Sequence, residues 1–514
     1  MRFRGSLVIL PCGVSHACGL TQTGILICKG SNSSGQLDVP PHLPFEFEGG
    51  EGAVRSLPDQ TRRSSCTARK QSTCASTNLG NQSMKVVVTS KQTIKPSNQT
   101  PHYLCQLKLS FLDQKQQPRY LPFVYFYASG LNKATSVRRR SEKLTKSLSE
   151  TLSWFYPLAG RVKDNLFVDC NDEGVSFLET QVESSLDHVG GQSNCNSQLN
   201  NLFPYPDFDD AGDLLLAVQV NFFQCGGMAI GLCTSHKIAD GLSIVMFMKF
   251  WAAVSRGDHS NLVYPQFGLA NIFPPTLNPN PSYHKHSVGT TKNKITAKSF
   301  MFSDSAISTL RAKYTPTTAT IVNPTRVEAL STFIWYRYKA ATQGEAVCGE
   351  RITCLVNQVV NLRTKLNPPL PNSYYGNLSQ AAMALLVPPP LKKDAIGEDC
   401  GSLVTQMRDG IRKVDSDFVR KLQEGGSGGM EGLNSKILEE GGNKGGGGEA
   451  VFSLVFSSLA RFPLYETDFG WERSDDGIEA LIFSNDANMA KLEADKEFLS
   501  FVSTPPPSPA NAKL

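Results

Sequence analysis

His236 precedes Asp240 by four positions in the run Cys233-Thr-Ser-His-Lys-Ile-Ala-Asp-Gly-Leu242. An imidazole with an unperturbed pKa of about 6.5 takes a proton from a hydroxyl or amine near neutral pH and returns it to a leaving group. The chemistry that asks least beyond this is attack of that hydroxyl on an acyl group already activated as a thioester. It needs a base and a stabilised tetrahedral oxyanion, and no acyl-enzyme. Taken singly, His-x-x-x-Asp is a short pattern, and its plain readings are a hydrogen-bonded strand-end histidine and a helix N-cap or ion pair at Asp240. A second run far downstream, Asp468-Phe-Gly-Trp471, is equally open on its own, since Gly470 suits a tight turn and Trp471 a core.

The flanking sequence predicts how His236 is held. Leu214 to Phe223 and Met228 to Thr234 are strand-like apolar runs joined by Gly226-Gly227, and the second delivers His236 to its end. Leu242, Val245, Met246, Phe250 and Val254 then recur at helical spacing, which buries one side. A strand-to-helix junction fixes a side chain on rigid supports while leaving it open to a cleft. Further strands are expected at Met84 to Thr89, Pro122 to Tyr127, Ser299 to Phe302 and Leu355 to Leu362. Helices are expected at Ser141 to Trp154, Ala306 to Lys313 and Arg326 to Ala340. Strands and helices interleave, so the class is α/β.

At 514 residues and 40% hydrophobic content the chain can bury more than one core. A net charge of +5 without a stripe of basic and aromatic residues argues against nucleic acid as a partner. Arg138-Arg-Arg140 reads as a solvated cluster. Thirteen cysteines without CxxC pairs or zinc spacing point to no metal site and to mostly reduced thiols. No apolar run approaches membrane-spanning length, and a soluble cytoplasmic protein is expected. Gly425-Gly-Ser-Gly-Gly429 satisfies G-x-S-x-G formally but lies in low-complexity sequence without the strand and helix of a nucleophile elbow, so a serine hydrolase is rejected. His284 and His286 read as exposed loop residues.

Six separated runs occur in order: Leu109-Ser-Phe-Leu-Asp-Gln114, Tyr156-Pro-Leu-Ala-Gly-Arg161, Ser235-His-Lys-Ile-Ala-Asp240, Val360-Asn-Leu-Arg363, Pro368-Pro-Leu-Pro371 with Gly376-Asn377, and Arg461-Phe-Pro-Leu-Tyr-Glu466 before Asp468-Phe-Gly-Trp471. Through them residues 84–503 resemble the plant BAHD acyl-CoA-dependent acyltransferases, in their vinorine synthase-like, alkaloid O-acetyltransferase branch. The resemblance implies two similar chloramphenicol acetyltransferase-like domains with a channel between them, an N-terminal domain over 84–264 and a C-terminal domain over 298–503, joined by a crossover at 265–297. Residues 504–514 are expected to form a disordered tail. It implies His236 as the general base, with Asp240, Arg363 and Asp468 in structural support and Ser235, Gly241, Gly470 and Trp471 as motif and channel residues. It further implies no bound cofactor, acyl-CoA (by branch, acetyl-CoA) as co-substrate, a small alcohol such as an alkaloid as acceptor, and a monomer.

Two departures stand out. Glu472 replaces the second glycine of DFGWG, and Arg473-Ser-Asp-Asp-Gly477 runs directly into Ile478-Glu-Ala480, where relatives carry more strand-forming sequence. The second sheet is therefore expected to lack a ladder partner, and the competing reading is a catalytically impaired binding protein. Residues 1–83 resemble a fragment of a crinkly-type receptor kinase ectodomain, at Gly13 to Leu20 and Gly30 to Leu37. They are expected to be an extraneous, largely disordered extension, since one propeller blade cannot bury its own faces.

Overall fold

A computed structural model of the chain describes residues 84–127, 137–186, 196–205, 213–276, 295–315, 323–343, 352–386, 400–424, 450–459, 461–463, 466–469 and 478–503, with strands at 5–11, 17–20 and 26–29. The two large sheets use eleven strands. In chain order these are β1 (Gly5–Pro11), β2 (Val86–Ile94), β3 (Tyr120–Tyr127), β4 (Val175–Val182), β5 (Leu216–Phe223), β6 (Met228–Ser235), β7 (Ile295–Phe302), β8 (Ile352–Asn361), β9 (Ser379–Leu386), β10 (Ala450–Ser458) and β11 (Ile478–Asn485). The helices that matter for the site are α1 (Phe111–Gln114), α2 (Val137–Trp154), α3 (Gly241–Arg256) and α4 (Arg326–Gln343).

The first lobe is a five-stranded sheet in the order β2-β4-β5-β6-β3. β5 and β6 are buried along their whole length, and the polar Gln219 and Asn221 of β5 are accommodated there by bonding to each other and to the Asn201, Leu202 and Ala229 carbonyls. Leu144, Leu148 and Leu152 of α2 share one helical face and pack with Phe247, Met248 and Trp251 of α3 and with Val218, Val220, Ile230 and Leu232 of the sheet. Arg140, expected to be solvated with its neighbours, is instead buried and donates to the Gly226 carbonyl at 2.8 Å. The β5–β6 hairpin supplies an acceptor for Nη1, while Nε is buried without one.

The second lobe holds six strands in the order β7-β11-β1-β10-β8-β9. Leu330, Phe333, Ile334 and Tyr338 of α4 cover it, against Val356, Leu454, Phe456, Ala480 and Ile482. The expectation of a sheet one partner short is corrected here. β1, from the segment expected to stand apart, lies between β10 and β11, antiparallel to the first over Leu7–Pro11 and parallel to the second over Gly5–Ile9. Backbone groups that the shortened sequence after Trp471 would have left unpaired thus find a ladder partner. No described helix is long and apolar enough to cross a membrane. Gly470, Trp471, Glu472, the Gly425 to Gly448 stretch, His284, His286 and the tail from 504 lie outside the described residues.

Candidate active site

His236 follows the last residue of β6, and five residues later α3 begins. Its backbone is fixed on both sides: the N–H donates to the Arg119 carbonyl at 2.9 Å, and its carbonyl accepts from Asn377 Nδ2 at 2.8 Å. Ser235 is buried, pairs with Tyr120 of β3, and its hydroxyl accepts from the Lys237 N–H at 3.3 Å. His236 is half-buried, and its Nδ1 lies 2.9 Å from Asn377 Oδ1. Because an amide oxygen only accepts, this contact makes Nδ1 the N–H donor and leaves the Nε2 lone pair free. Burial, then the nearby Arg119 guanidinium, lowers the ring pKa to about 4; the Asp240 charge and the Asn377 bond act in the opposite direction but lose. The imidazole is therefore neutral throughout the physiological range.

Asp240 is the N-cap of α3, accepting the Ser243 N–H at 2.9 Å. It is also paired with Arg363, at 2.7 and 3.2 Å, and accepts the Leu378 N–H at 3.1 Å. Burial pushes the Asp240 carboxyl up, but the Arg363 guanidinium and the Ser243 donors outweigh it and hold the pKa below the ordinary carboxylate value. Arg363 is fully buried, and its remaining N–H groups reach the Tyr374 and Gly376 carbonyls, Ser243 Oγ and Asn361 Oδ1. A planar five-donor group suits such a site; a lysine would not. Asp240 therefore spends its oxygens on the first turn of α3 and on the second lobe rather than on the imidazole.

Gly376 precedes Asn377 with φ at +135°, and a Cβ there would come within 2.8 Å of Leu269. Only glycine supplies this backbone without strain, and it delivers Asn377 to the histidine. Gly241, the first residue of α3, lets Leu459 approach closely, since a Cβ there would lie 3.1 Å from it. Asp468 lies away from this cluster. Its carboxylate is 3.9 Å from Arg256, the last residue of α3, and a helix of 16 residues separates its ends by about 24 Å. The neighbouring Phe469 is buried edge-on against Trp251 and Tyr127 at 5.2 and 5.7 Å, which ties that loop to α3.

Three residues around His236 carried no role in the sequence reading. Asn377 and Asp113 stood inside runs that marked the family resemblance, but nothing in a single sequence links positions so far apart. Lys237, beside His236, points inward and donates to the Gln114 carbonyl and Asn165 Oδ1, both at 2.9 Å. Burial lowers its pKa to about 8 despite the Asp113 charge.

A family model described as the Transferase family matches residues 84–493, and a shorter one, the regulator of chromosome condensation (RCC1) repeat, matches residues 12–36. Stemmadenine O-acetyltransferase of Catharanthus roseus is 32% identical over 446 residues, covering 81% of this chain and 98% of that protein. Vinorine synthase of Rauvolfia serpentina is 33% identical, over 80% of this chain and 97% of its own. Limonoid 21-O-acetyltransferase of Melia azedarach is 33% identical, over 82% and 99%. The crystal structure of vinorine synthase superposes with a TM-score of 0.65 at 29% identity, covering 82% of this chain and 99% of that one. The fold is shared at a TM-score of 0.52 and 17% identity by F. sporotrichioides TRI101, solved with coenzyme A and T-2, over 77% of this chain and 99% of that one. A mixed α/β chain matched over most of its length by this model, with relatives above 30% identity across nearly their full lengths, belongs to the transferase family of BAHD acyltransferases.

Proposed function

We propose that the protein transfers an acyl group, by preference acetyl, from its coenzyme A thioester to a hydroxyl of a plant specialised metabolite such as an alkaloid, with His236 as general base in a ternary complex. The single observation that carries this reading is the His236–Asn377 bond, which engages Nδ1 and leaves Nε2 of a half-buried, neutral imidazole to act as the base. The acceptor hydroxyl gives its proton to Nε2 as its oxygen attacks the thioester carbonyl. The tetrahedral intermediate then collapses, the C–S bond breaks, and the imidazolium returns the proton to the departing thiolate. An imidazolium whose pKa is near 4 gives up that proton readily. Asp240 and Arg363 act on the loop rather than on the reacting atoms, and Asp468 holds α3 at its far end. Acyl-CoA and acceptor are proposed to reach Nε2 from opposite ends of a channel between the lobes, in a monomeric cytosolic enzyme.

The test is to incubate the purified chain with acetyl-CoA and a panel of hydroxylated alkaloids and terpenoids, following free thiol and the acetylated product by mass. Stoichiometric thiol and ester are expected, with thiol release dependent on the acceptor. Binding of coenzyme A without ester from any acceptor would favour the impaired binding protein instead.

A further inference from the structure

We propose that Asp113 is a positioning residue that acts through Asn377 to set which ring nitrogen of His236 is free to take the proton. The proposal rests on the reading of His236 as the base and adds the group that fixes its tautomer.

Asp113 closes α1 onto its own N-cap. Its Oδ2 accepts from the Ser110 N–H at 3.0 Å and the Ser110 hydroxyl at 2.6 Å, and its N–H donates back to Ser110 Oγ at 3.2 Å. That capping box holds the buried carboxylate in one orientation. Its other oxygen faces the second lobe, where Oδ1 accepts from the Asn377 backbone N–H and from Asn377 Nδ2, both at 2.9 Å.

A carboxylate met by donors on both oxygens suits the ionised form, and an ionised carboxylate only accepts. Burial outweighs the Ser110 and Asn377 donors and leaves the Asp113 carboxyl above its ordinary value, so it is the donors placed on both oxygens that favour the carboxylate here. Lys237 adds a positive charge from the strand-to-helix turn.

An asparagine side chain can in principle present either its oxygen or its NH2 to a neighbour. Here the choice is forced. Nδ2 must face Asp113 Oδ1, and it also donates to the His236 carbonyl at 2.8 Å. The amide oxygen is then the atom left for His236 Nδ1. Nδ1 must carry the hydrogen, and Nε2 the lone pair. Were the amide turned over, its NH2 would demand a lone pair from Nδ1, put the hydrogen on Nε2, and leave no base. The charged groups around the ring, Arg119 and Asp240, shift its affinity for a proton in opposite directions.

The test uses the full chain labelled with ¹⁵N-histidine, the His236 signals being identified by their loss in His236→Gln. The wild type is expected to show the Nδ1–H tautomer. Asp113→Asn, which can offer its own NH2 to Asn377 and so permit the turned amide at the cost of the bond to the His236 carbonyl, should show a mixture of the two tautomers. The same variant should lose about tenfold or more in kcat, as wrongly tautomerised histidine bases do, while KM for acetyl-CoA stays within about twofold. Asn377→Ala should lose a similar factor, and the double variant no more than either alone, because both changes cut one chain of contacts.

An unchanged wild-type tautomer in Asp113→Asn, or losses that multiply in the double variant, would overturn the proposal. The tautomer is read without turnover. A His236→Ala enzyme that remained fully active would remove the base while leaving this reading of the ring intact, so the two failures are told apart.

Discussion

With its pKa held near 4, His236 stays unprotonated well below neutral pH, so the acid limb of the rate profile should be displaced. We expect kcat/KM for acetyl transfer to be flat from about pH 6 to 8 and to halve near pH 4; a limb at the ordinary histidine value near 6.5 would contradict the burial argument. The same displacement enters stability. The ring binds a proton in the unfolded chain at about 6.5 and in the folded protein only at about 4. Its contribution is fully present above the unfolded value and is lost as the pH falls through that window. Removing the ring in His236→Gln should flatten this part of the stability–pH curve, as followed by urea denaturation at pH 4, 5.5 and 7.

At the scale of elements, the strand and helix that hold His236 were legible because each writes its burial into its sequence. β6 is apolar from Met228 to Cys233, and α3 carries its apolar residues at helical spacing behind Asp240. Asp240 could be read as a cap because a carboxylate at that position has a local partner in the Ser243 N–H. Asn377 and Asp113 could not be assigned, since their roles arise only when two lobes meet, 141 and 264 residues apart along the chain. β1 was missed for a different reason: its short apolar run Leu7 to Leu10 stands in a segment of otherwise faint periodicity, and its partners β10 and β11 lie at the far end of the chain. That placement makes a prediction. Ile9→Pro removes an N–H from a strand paired on both sides and should lower Tm by several degrees, and deletion of residues 1–15 by more. An unchanged melting curve after the deletion would mean that the second sheet closes without β1.

Over the whole molecule, the site exists only where the lobes touch. Asp240 from the first lobe meets Arg363 from the second, and Asp113 meets Asn377 across the same contact. Asp240→Ala would leave the fully buried Arg363 guanidinium without its counter-charge, at a cost of about 3–5 kcal/mol. Calorimetry should then separate one cooperative transition into two, one for each lobe; a single transition with a loss below about 1 kcal/mol would show the pair to be dispensable to docking. The measurement that bears most directly on the account is the rate of thiol release from acetyl-CoA at neutral pH, with an accepted alcohol, by wild type and by His236→Ala. A fall of about 10²-fold or more, with coenzyme A still bound, is the predicted result. Transfer at an undiminished rate without the imidazole would contradict it.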